Sequence, residues 1–428
     1  MTSKRKEAFV WIWLENHSEP VVAGRLESDH GKLSFNYGQS YLARENAVSI
    51  YEPELPLKAG KLPLLPRMDM PSCIRDSSPD AWGRRIIINQ LIGKKNRDIA
   101  PTELGELEYL LMSGSDRIGN LDFHVSATRY APRNPKAATL EELQQASELV
   151  EKGIPLTEEL DQALNHGSSI GGARPKAGIE TKNQKFIAKF SGSTDTYSVV
   201  KAEYIAMTLA KRAGIDAADV ELTTAHDKDV LLIRRFDRTY GDDGECYRKA
   251  MVSGLTIFAI PELEAHYASY ETLAERVRHQ FTDPKATLHQ LYRRMVFNIL
   301  VGNTDDHARN HAAFWDGNQL TLSPAYDICP QGRTGQEASQ AMNIHGDNKL
   351  SQLGNCLAAR SAFQLSEDAA KTIIQSQVAT IRKYYPAICE AAMLSEVDQN
   401  FFWRRQFLNP YCFYDLPQEF AQKLTRGL

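Results

Sequence analysis

Carboxylate and amide side chains are concentrated between Gly302 and Asp327, in the stretch GNTDDHARNHAAFWDGNQLTLSPAYD. Asp305 is followed after four residues by Asn310, and Asp327 lies seventeen residues beyond Asn310. Phosphoryl transfer needs a carboxylate that orients the attacking hydroxyl, together with hard oxygen ligands for Mg²⁺. Asp and Asn side chains supply both, so the stretch predicts a phosphoryl-transfer site.

The spacing selects Asp305 over Asp306 as the catalytic base, because protein kinases place four residues between the catalytic Asp and a metal-binding Asn. Asn310 and Asp327 are then the predicted metal ligands. Two alternatives stay open at this point. Asp305 and Asp306 with His307 and His311 would be the metal centre of a hydrolase, although no HExxH or similar partner motif accompanies them. The stretch would otherwise be a polar loop that caps the preceding helix.

A glycine pair precedes this site in the stretch HGSSIGGARPKAGIETKNQKFIAKF. Adjacent glycines allow backbone N–H groups to converge on an anion, so Gly171 and Gly172 indicate a phosphate-binding loop. The stretch is not a Walker A motif, and a plain hairpin loop explains the glycines equally well.

A strand at residues 185–190 follows the glycines and carries Lys189. A lysine on a strand after a glycine loop is the arrangement by which kinases hold ATP phosphates. The next predicted helix, at residues 199–213, carries Glu203, which is placed like the acid that pairs with that lysine; the pairing of Glu203 with Lys189 stays open. The apolar strand at 229–236 then predicts an adenine-reading hinge at Arg234, Arg235 and Phe236.

Local signals define the elements around these motifs. Apolar patterns predict strands at 9–14, 21–26, 32–37 and 47–51. Helix starts are predicted at the capping box Thr139-Leu-Glu-Glu142, at Asp283-Pro284 and at Ser366. The linker YAPRNPKAA at 130–138 is the clearest boundary. We therefore predict a β-rich N-terminal subdomain at 1–130, an N-lobe with glycine loop and hinge at 139–255, and a helical C-lobe with the catalytic loop at 256–428.

Composition narrows the class of protein. A chain of 428 residues is longer than one compact core usually supports, so two or three subdomains are expected. Its contents of 42% hydrophobic and 24% charged residues are ordinary for a globular protein. A net charge of -4 gives no overall attraction to nucleic acid or membrane. The six cysteines are scattered and predict reduced thiols. No apolar run is long enough to cross a membrane, so we expect a cytoplasmic protein with no membrane partner.

The ordered motifs SSIGGARPKA, KFIAKF, LIRRFDR, GNTDDHARNHAAFW and LSPAYDI make the chain resemble the HipA family of serine/threonine kinase toxins. The N-terminal motifs LPLLP, SSPDAWGRR and GSDRIGN resemble the same family, so the resemblance covers nearly the whole chain. It implies an α+β fold, a divergent two-lobed kinase with an added β-rich N-terminal subdomain and a helical C-terminal lobe. It also implies the cofactors ATP and Mg²⁺.

The resemblance assigns Asp305 as catalytic base and Asn310 and Asp327 as metal ligands. It implies that the following further residues contact the nucleotide: Gly171, Gly172, Ala173, Arg174, Pro175, Lys176, Lys189, Arg234, Arg235, Phe236, His307 and Tyr326. In this family a serine just ahead of the glycine loop is autophosphorylated, which ejects the loop and silences the enzyme. Ser169 matches that serine, and Ser168 is the second candidate. Pro175 stiffens the loop of this chain.

The family's partners are also implied by resemblance alone. They are a helix-turn-helix antitoxin of the HipB type, operator DNA contacted mainly through the antitoxin, and a protein substrate such as an aminoacyl-tRNA synthetase. Two other functions remain open: an antitoxin-partnered co-repressor subunit with little catalysis, and a small-molecule phosphotransferase that uses the same site.

Overall fold

The structure is a computed structural model that describes residues 5–93, 104–133, 138–164, 167–181, 183–242, 244–333 and 335–426. The chain divides into two compact units. Unit 1 comprises Met1–Asp195, Thr223–Val252 and Phe314–Asn318, and unit 2 comprises Thr196–Leu222, Ser253–Ala313 and Gln319–Leu428.

The strands in chain order are β1 (Glu7–Ile12), β2 (Val21–Asp29), β3 (Lys32–Tyr37), β4 (Leu121–His124), β5 (Lys176–Thr181), β6 (Gln184–Phe190), β7 (Val220–Ala225), β8 (Lys228–Arg234), β9 (Arg238–Tyr240), β10 (Cys246–Arg248), β11 (Met251–Ser253), β12 (Ala312–Trp315) and β13 (Leu320–Leu322). The α-helices are α1 (Gln39–Leu42), α2 (Ser72–Arg75), α3 (Ala81–Gly93), α4 (Glu106–Met112), α5 (Leu140–Glu151), α6 (Glu158–Leu164), α7 (Val199–Arg212), α8 (Gly254–Phe258), α9 (Tyr270–Gln280), α10 (Pro284–Leu300), α11 (Leu353–Ala359), α12 (Glu367–Ala391), α13 (Glu396–Phe402) and α14 (Gln418–Thr425).

Unit 1 contains two four-stranded sheets. The first has the order β3-β2-β1-β4 and is antiparallel. Phe35 and Tyr37 of β3 point into the core because successive strand residues face opposite sides of the sheet. The second sheet has the order β5-β6-β8-β7 and presents the glycine loop at the start of β5. Its core residues Ala177, Ala188 and Phe190 are fully buried with Trp82 of α3.

Unit 2 is mainly helical and is built around α10. Asp283 caps this helix, because its side chain accepts a hydrogen bond from the N–H of Ala286 at 3.1 Å, and Pro284 occupies the first turn. The inward residues Leu288, Leu291 and Met295 are buried. The helix α12 begins after its cap Ser366 and packs against α7 and α10. The helix α10 ends at Leu300, directly before the predicted catalytic loop.

The α+β fold class predicted from the sequence is confirmed, and so are the helix starts at Thr139, Asp283 and Ser366. The predicted strand at 47–51 is wrong, since only an isolated bridge joins Tyr51 to Leu55. The division into segments 1–130, 139–255 and 256–428 stays a prediction. Residues 134–137 of the predicted linker lie outside the described residues.

A search of the described helices found none that is both long and apolar enough to span a membrane.

Candidate active site

The loop after α10 is fixed at its entrance by glycine and asparagine. Gly302 has a φ of +70°, and a Cβ there would lie 2.7 Å from the carbonyl oxygen of Gln406, so only glycine fits. The backbone N–H of Asn303 donates to the carbonyl of Asn298 at 2.8 Å, and its side chain donates to Asn298 Oδ1 at 3.1 Å. The entrance to the DDHARN loop, which we define as residues 302–310, is therefore tied to the end of α10.

Asp305 and Asn310 are joined inside this loop. The N–H of His307 donates to the carbonyl of Asp305 at 2.9 Å, and the N–H of Asn310 donates to the carbonyl of His307 at 2.8 Å. The side-chain Nδ2 of Asn310 donates to the same Asp305 carbonyl at 3.2 Å. Asn310 is buried, whereas Asp305 is exposed. The loop thus presents the predicted base to solvent and holds the predicted ligand beneath it.

Asp327 lies on a second segment of unit 2 that is attached to the loop. The Tyr326 hydroxyl donates to the carbonyl of Arg309 at 2.6 Å, and Asn303 Nδ2 donates to the carbonyl of Asp327 at 3.5 Å. Asp327 itself has a φ of +58°, in the left-handed region that non-glycine residues rarely adopt. Asp and Asn tolerate this region better than most residues, so the local backbone suits the residue that the chemistry requires.

The surroundings of Asp305 change its acidity. Although the Asp305 side chain reaches solvent, partial desolvation by the surrounding loop raises its pKa. The nearby negative charge of Asp327 raises that pKa further, while His307 lowers it. A carboxylate beside a second carboxylate is destabilised in its charged form, and a bound cation would relieve that repulsion. The charge of the predicted ligand Asp327 therefore acts on the predicted base Asp305.

Asp306 has a different role from its neighbour. It is buried and accepts hydrogen bonds from the Tyr270 hydroxyl and from His311 Nε2, the latter at 3.2 Å. These contacts tie the DDHARN loop to the start of α9. Among the described residues, no group of three or more His, Cys, Asp and Glu side chains is placed to hold a metal ion. The alternative of a His/Asp metal centre at Asp305, Asp306, His307 and His311 thus has no three-ligand cluster among the described residues.

The remaining donor set suits Mg²⁺. Asn310 Nδ2 is used by the Asp305 carbonyl, which leaves Oδ1 as the ligand atom of that side chain. Asn310 and Asp327 thus offer an amide oxygen and a carboxylate. Mg²⁺ is usually bound by one or two such protein groups, with phosphate oxygens and water completing its shell. The residues present fit this metal.

The glycine loop, residues 171–176, lies in unit 1. Gly172 has a φ of +101°, and its N–H donates to Asp80 Oδ2 at 3.1 Å. The Lys176 ammonium donates to the carbonyl of Gly171 at 2.8 Å. Arg174 pairs with Asp195 at 2.5 Å. The carbonyl of Pro175 accepts a hydrogen bond from the N–H of Phe190, which joins the end of the loop to β6.

Other predicted nucleotide contacts lie on the sheet that follows the loop. Lys176 of β5 and Lys189 of β6 are paired in the strand register, and both are buried. Phe236 contacts the ring of Phe314, with 6.0 Å between the centroids. Arg234 ends β8 and is exposed. In unit 2, Glu203 is buried within α7, and its pairing with Lys189 stays a prediction.

The two candidate phosphorylation sites are inaccessible in this conformation. Ser168 is 0% exposed and Ser169 is 3% exposed. The Ser168 hydroxyl accepts a hydrogen bond from the N–H of Gly114 at 2.9 Å, and the Ser169 hydroxyl donates to the carbonyl of Asp116 at 3.3 Å. Phosphorylation of either serine therefore requires the segment to move.

Arg235 has a side chain committed to buried ion pairs. It contacts Asp116 at 3.0 Å and Asp237 at 2.8 Å, and Arg238 contacts the same two carboxylates at 2.9 Å. Its predicted role in the hinge therefore concerns the backbone. From the sequence we treated GSDRIGN only as a family motif and missed that its Asp116 holds Arg235 of the predicted hinge. The contact joins residues 119 positions apart, as between Asp116 and Arg235, and no local pattern reveals it.

Comparison with known families gives two matches that together span most of the chain. The HipA N-terminal domain matches residues 12–124, and the HipA-like C-terminal domain matches residues 168–384. The Y4mE protein of Sinorhizobium fredii is 25% identical over 343 residues, which cover 72% of this chain and 74% of that protein. The serine/threonine-protein kinase toxin HipA of Shewanella oneidensis is 23% identical over 188 residues, covering 37% of this chain and 42% of the toxin.

A solved structure shares the fold. It is the complex of Shewanella oneidensis HipA, HipB and operator DNA, in which one chain matches with a TM-score of 0.61 at 16% identity. The match covers 92% of this chain and 93% of that chain. Since the HipA-like C-terminal domain alone spans more than half of the sequence and contains Asp305, Asn310 and Asp327, the chain belongs to the HipA family.

Proposed function

We propose that this protein is an ATP-dependent serine/threonine protein kinase that acts as the toxin of a toxin–antitoxin pair. Three observations within unit 2 support the proposal: Asn310 bonds to the carbonyl of Asp305, Asn303 bonds to the carbonyl of Asp327, and the charge of Asp327 raises the pKa of Asp305. These residues would supply a base and two oxygen ligands, which is what phosphoryl transfer requires of a protein. The kinase name of the related Shewanella toxin supports the same reaction.

Each residue then has a distinct part in the reaction. Asp305 accepts the proton of the substrate hydroxyl and orients its oxygen. Asn310 and Asp327 would hold Mg²⁺, which when bound neutralises phosphate charge. In unit 1, the glycine loop and Lys189 would bind the nucleotide phosphates, and residues 234–236 would read the adenine. In unit 2, His307 and Tyr326 are further predicted nucleotide contacts.

The partners follow from family membership. We propose a HipB-type antitoxin, because the structural relative is held in a complex with HipB and operator DNA. The net charge of -4 suits a protein that leaves most DNA contact to that partner. An aminoacyl-tRNA synthetase as substrate and a cytoplasmic location are further parts of this proposal.

Self-silencing by phosphorylation of Ser169 completes the proposal. The hydroxyl is buried, so a phosphate of about -1.5 to -2 charges has no room in the present conformation. After this modification the glycine loop would leave its present position and could no longer bind the nucleotide.

The central test is transfer of the γ-phosphate of labelled ATP by Asp305→Asn. We expect loss of at least about a hundredfold in rate, since general bases contribute ~10²–10⁴. Equilibrium ATP binding should change little. Asp347→Asn, an exposed acid of the same unit, is the matched control and should remain active. Full activity of Asp305→Asn would reject the proposal, and label appearing in a metabolite instead of protein would favour a small-molecule phosphotransferase.

A further inference from the structure

We propose that Asp80 is a positioning residue that holds the glycine loop, and with it Ser169, in the closed conformation, by which we mean the present conformation with Ser169 buried. Asp80 belongs to the N-terminal motif SSPDAWGRR, far along the chain from the loop. The inference builds on the proposed kinase function, but the contacts that support it lie entirely within unit 1.

The Asp80 carboxylate binds the loop at its glycine pair. Its Oδ2 accepts the N–H of Gly172 at 3.1 Å, and a Cβ at Gly171 would lie 2.8 Å from the same oxygen. The other oxygen, Oδ1, is bound by Arg75 at 3.3 Å. A carboxylate held by an arginine is thus presented to a backbone N–H of the kind that glycine loops use for anions.

Trp82 adds two attachments on the same loop. Its backbone N–H donates to the carbonyl of Gly172 at 3.0 Å, and its indole Nε1 donates to the carbonyl of Lys176 at 2.9 Å. Trp82 is fully buried, so these bonds are made from a rigid position. Both backbone groups of Gly172 are therefore hydrogen-bonded, its N–H to Asp80 and its C=O to Trp82.

The serine segment is enclosed by the same part of the chain. A Cβ at Gly83 would collide with the carbonyl of Ser168, so α3 and this segment approach as closely as glycine permits. Gly114 and Asp116 bind the hydroxyls of Ser168 and Ser169. Freeing Ser169 therefore requires the segment to separate from the N-terminal motifs, and the Asp80 contact opposes that separation.

The consequence for modification is direct. In autophosphorylation the Ser169 oxygen bonds to the γ-phosphorus of ATP, ADP leaves, and the hydroxyl proton passes to a carboxylate. None of this begins until the loop opens. The frequency of opening, which Asp80 restrains, thus limits how soon the enzyme silences itself.

Loop opening can be measured without ATP. In a Ser169→Cys background, the rate at which a maleimide reacts with residue 169 reports the open fraction. Peptide mapping separates this thiol from the native cysteines, five of which are buried. Three variants are compared in this background: Asp80→Ala, Asp80→Asn and Glu106→Ala. Glu106 is the matched control, because it is a paired carboxylate of the same region whose partners are Arg84, at 2.5 Å, and the Ser78 hydroxyl, at 3.1 Å.

We expect Asp80→Ala to react about tenfold faster than the parent, in line with loss of a hydrogen bond to a charged group. Asp80→Asn keeps an oxygen that can accept the Gly172 N–H, so its reaction rate should lie between those of Asp80→Ala and the parent. Glu106→Ala should react at the parent rate. Equal rates for Asp80→Ala and the parent, or equal acceleration by Glu106→Ala, would overturn the inference.

A second readout separates positioning from general destabilisation. With Ser169 intact, Asp80→Ala should raise the KM for ATP severalfold with a smaller change in kcat, because a loosely held loop binds the nucleotide less well. Melting curves of both variants show whether they are folded. If Asp80→Ala folds poorly, the comparison is made with Asp80→Asn instead. If no variant transfers phosphate, the kinase proposal fails while the labelling result still decides the role of Asp80.

Discussion

Asn310 donates its side-chain Nδ2 to the main-chain oxygen of Asp305 across 3.2 Å. One side chain therefore shapes the loop that carries the predicted base, and its Oδ1 is the predicted metal ligand. Because the same amide performs both tasks, its removal should affect metal use and loop geometry together.

We predict that Asn310→Ala raises the Mg²⁺ concentration for half-maximal phosphate transfer by about tenfold or more, as expected for loss of a metal-site group. The measurement is a Mg²⁺ titration of transfer at saturating ATP. Asn400→Ala, an exposed asparagine of unit 2, should leave the titration unchanged. An unaltered Mg²⁺ dependence in Asn310→Ala would remove Asn310 from the metal site.

A second prediction concerns the support beneath the base. Tyr270→Phe deletes the hydroxyl that binds buried Asp306, so the carboxylate loses a partner at a cost of about 1–3 kcal/mol. We expect a lower melting temperature and a kcat reduced by roughly tenfold, with the KM for ATP little changed, since the DDHARN loop loses its anchor. Tyr267→Phe is the control, because that ring is 67% exposed. Identical kinetics in the two variants would contradict this role.

The buried pairs around Asp237 predict a stability effect with a defined pH range. Burial alone would raise the pKa of Asp237, but Arg235 and Arg238 outweigh it and lower the pKa to about 2. The folded state then binds this proton less readily than the unfolded chain, whose Asp pKa is near 4 (~3.9). The stabilisation is fully present above that value and is lost as the pH falls through about 2.

Asp237→Asn should therefore lower the free energy of unfolding by about 3–5 kcal/mol at neutral pH, because it leaves the two buried guanidinium groups of Arg235 and Arg238 with Asp116 as their one shared carboxylate. Its stability should also fall less steeply than that of the parent below pH ~4. Urea titrations across this range test both statements. Asp242→Asn, an exposed acid, should follow the parent curve. A parallel pH profile for Asp237→Asn would show that another group dominates acid unfolding.

The site of self-modification gives a further prediction. Incubation with ATP and Mg²⁺ should add one phosphoryl group to the intact protein, and fragment mapping should place it on Ser169. Ser169→Ala should abolish the added mass, whereas Ser168→Ala should retain it. Phosphate found on Ser168, or retained by Ser169→Ala, would overturn the assignment.

Features set by neighbouring residues were predictable from the sequence. Strand β3 at Lys32–Tyr37 was predicted with both ends correct, and so were the caps at Thr139 and Asp283. The DDHARN motif was equally visible as a spacing of four residues, and its chemistry stays a prediction. In each case a few adjacent side chains determine the local backbone.

Features set by distant residues were not predictable. The strand expected at 47–51 does not form, because the N–H groups of Val48 and Ile50 are bound by the hydroxyls of Tyr41 and Tyr37 instead of by another strand. The hydrogen bond between Asp80 and the N–H of Gly172 joins residues 92 positions apart. Such contacts depend on how folded elements pack, which no local pattern encodes.

The left-handed backbone at Asp327 has a consequence for reading relatives of this chain. Few residue types adopt a φ of +58° readily, and glycine, asparagine and aspartate are foremost among them. Of these, only aspartate brings a carboxylate. We therefore expect a relative that has lost catalysis but kept this backbone conformation to carry asparagine or glycine at this position. The residue type at this position would then distinguish an inactive relative from an active one.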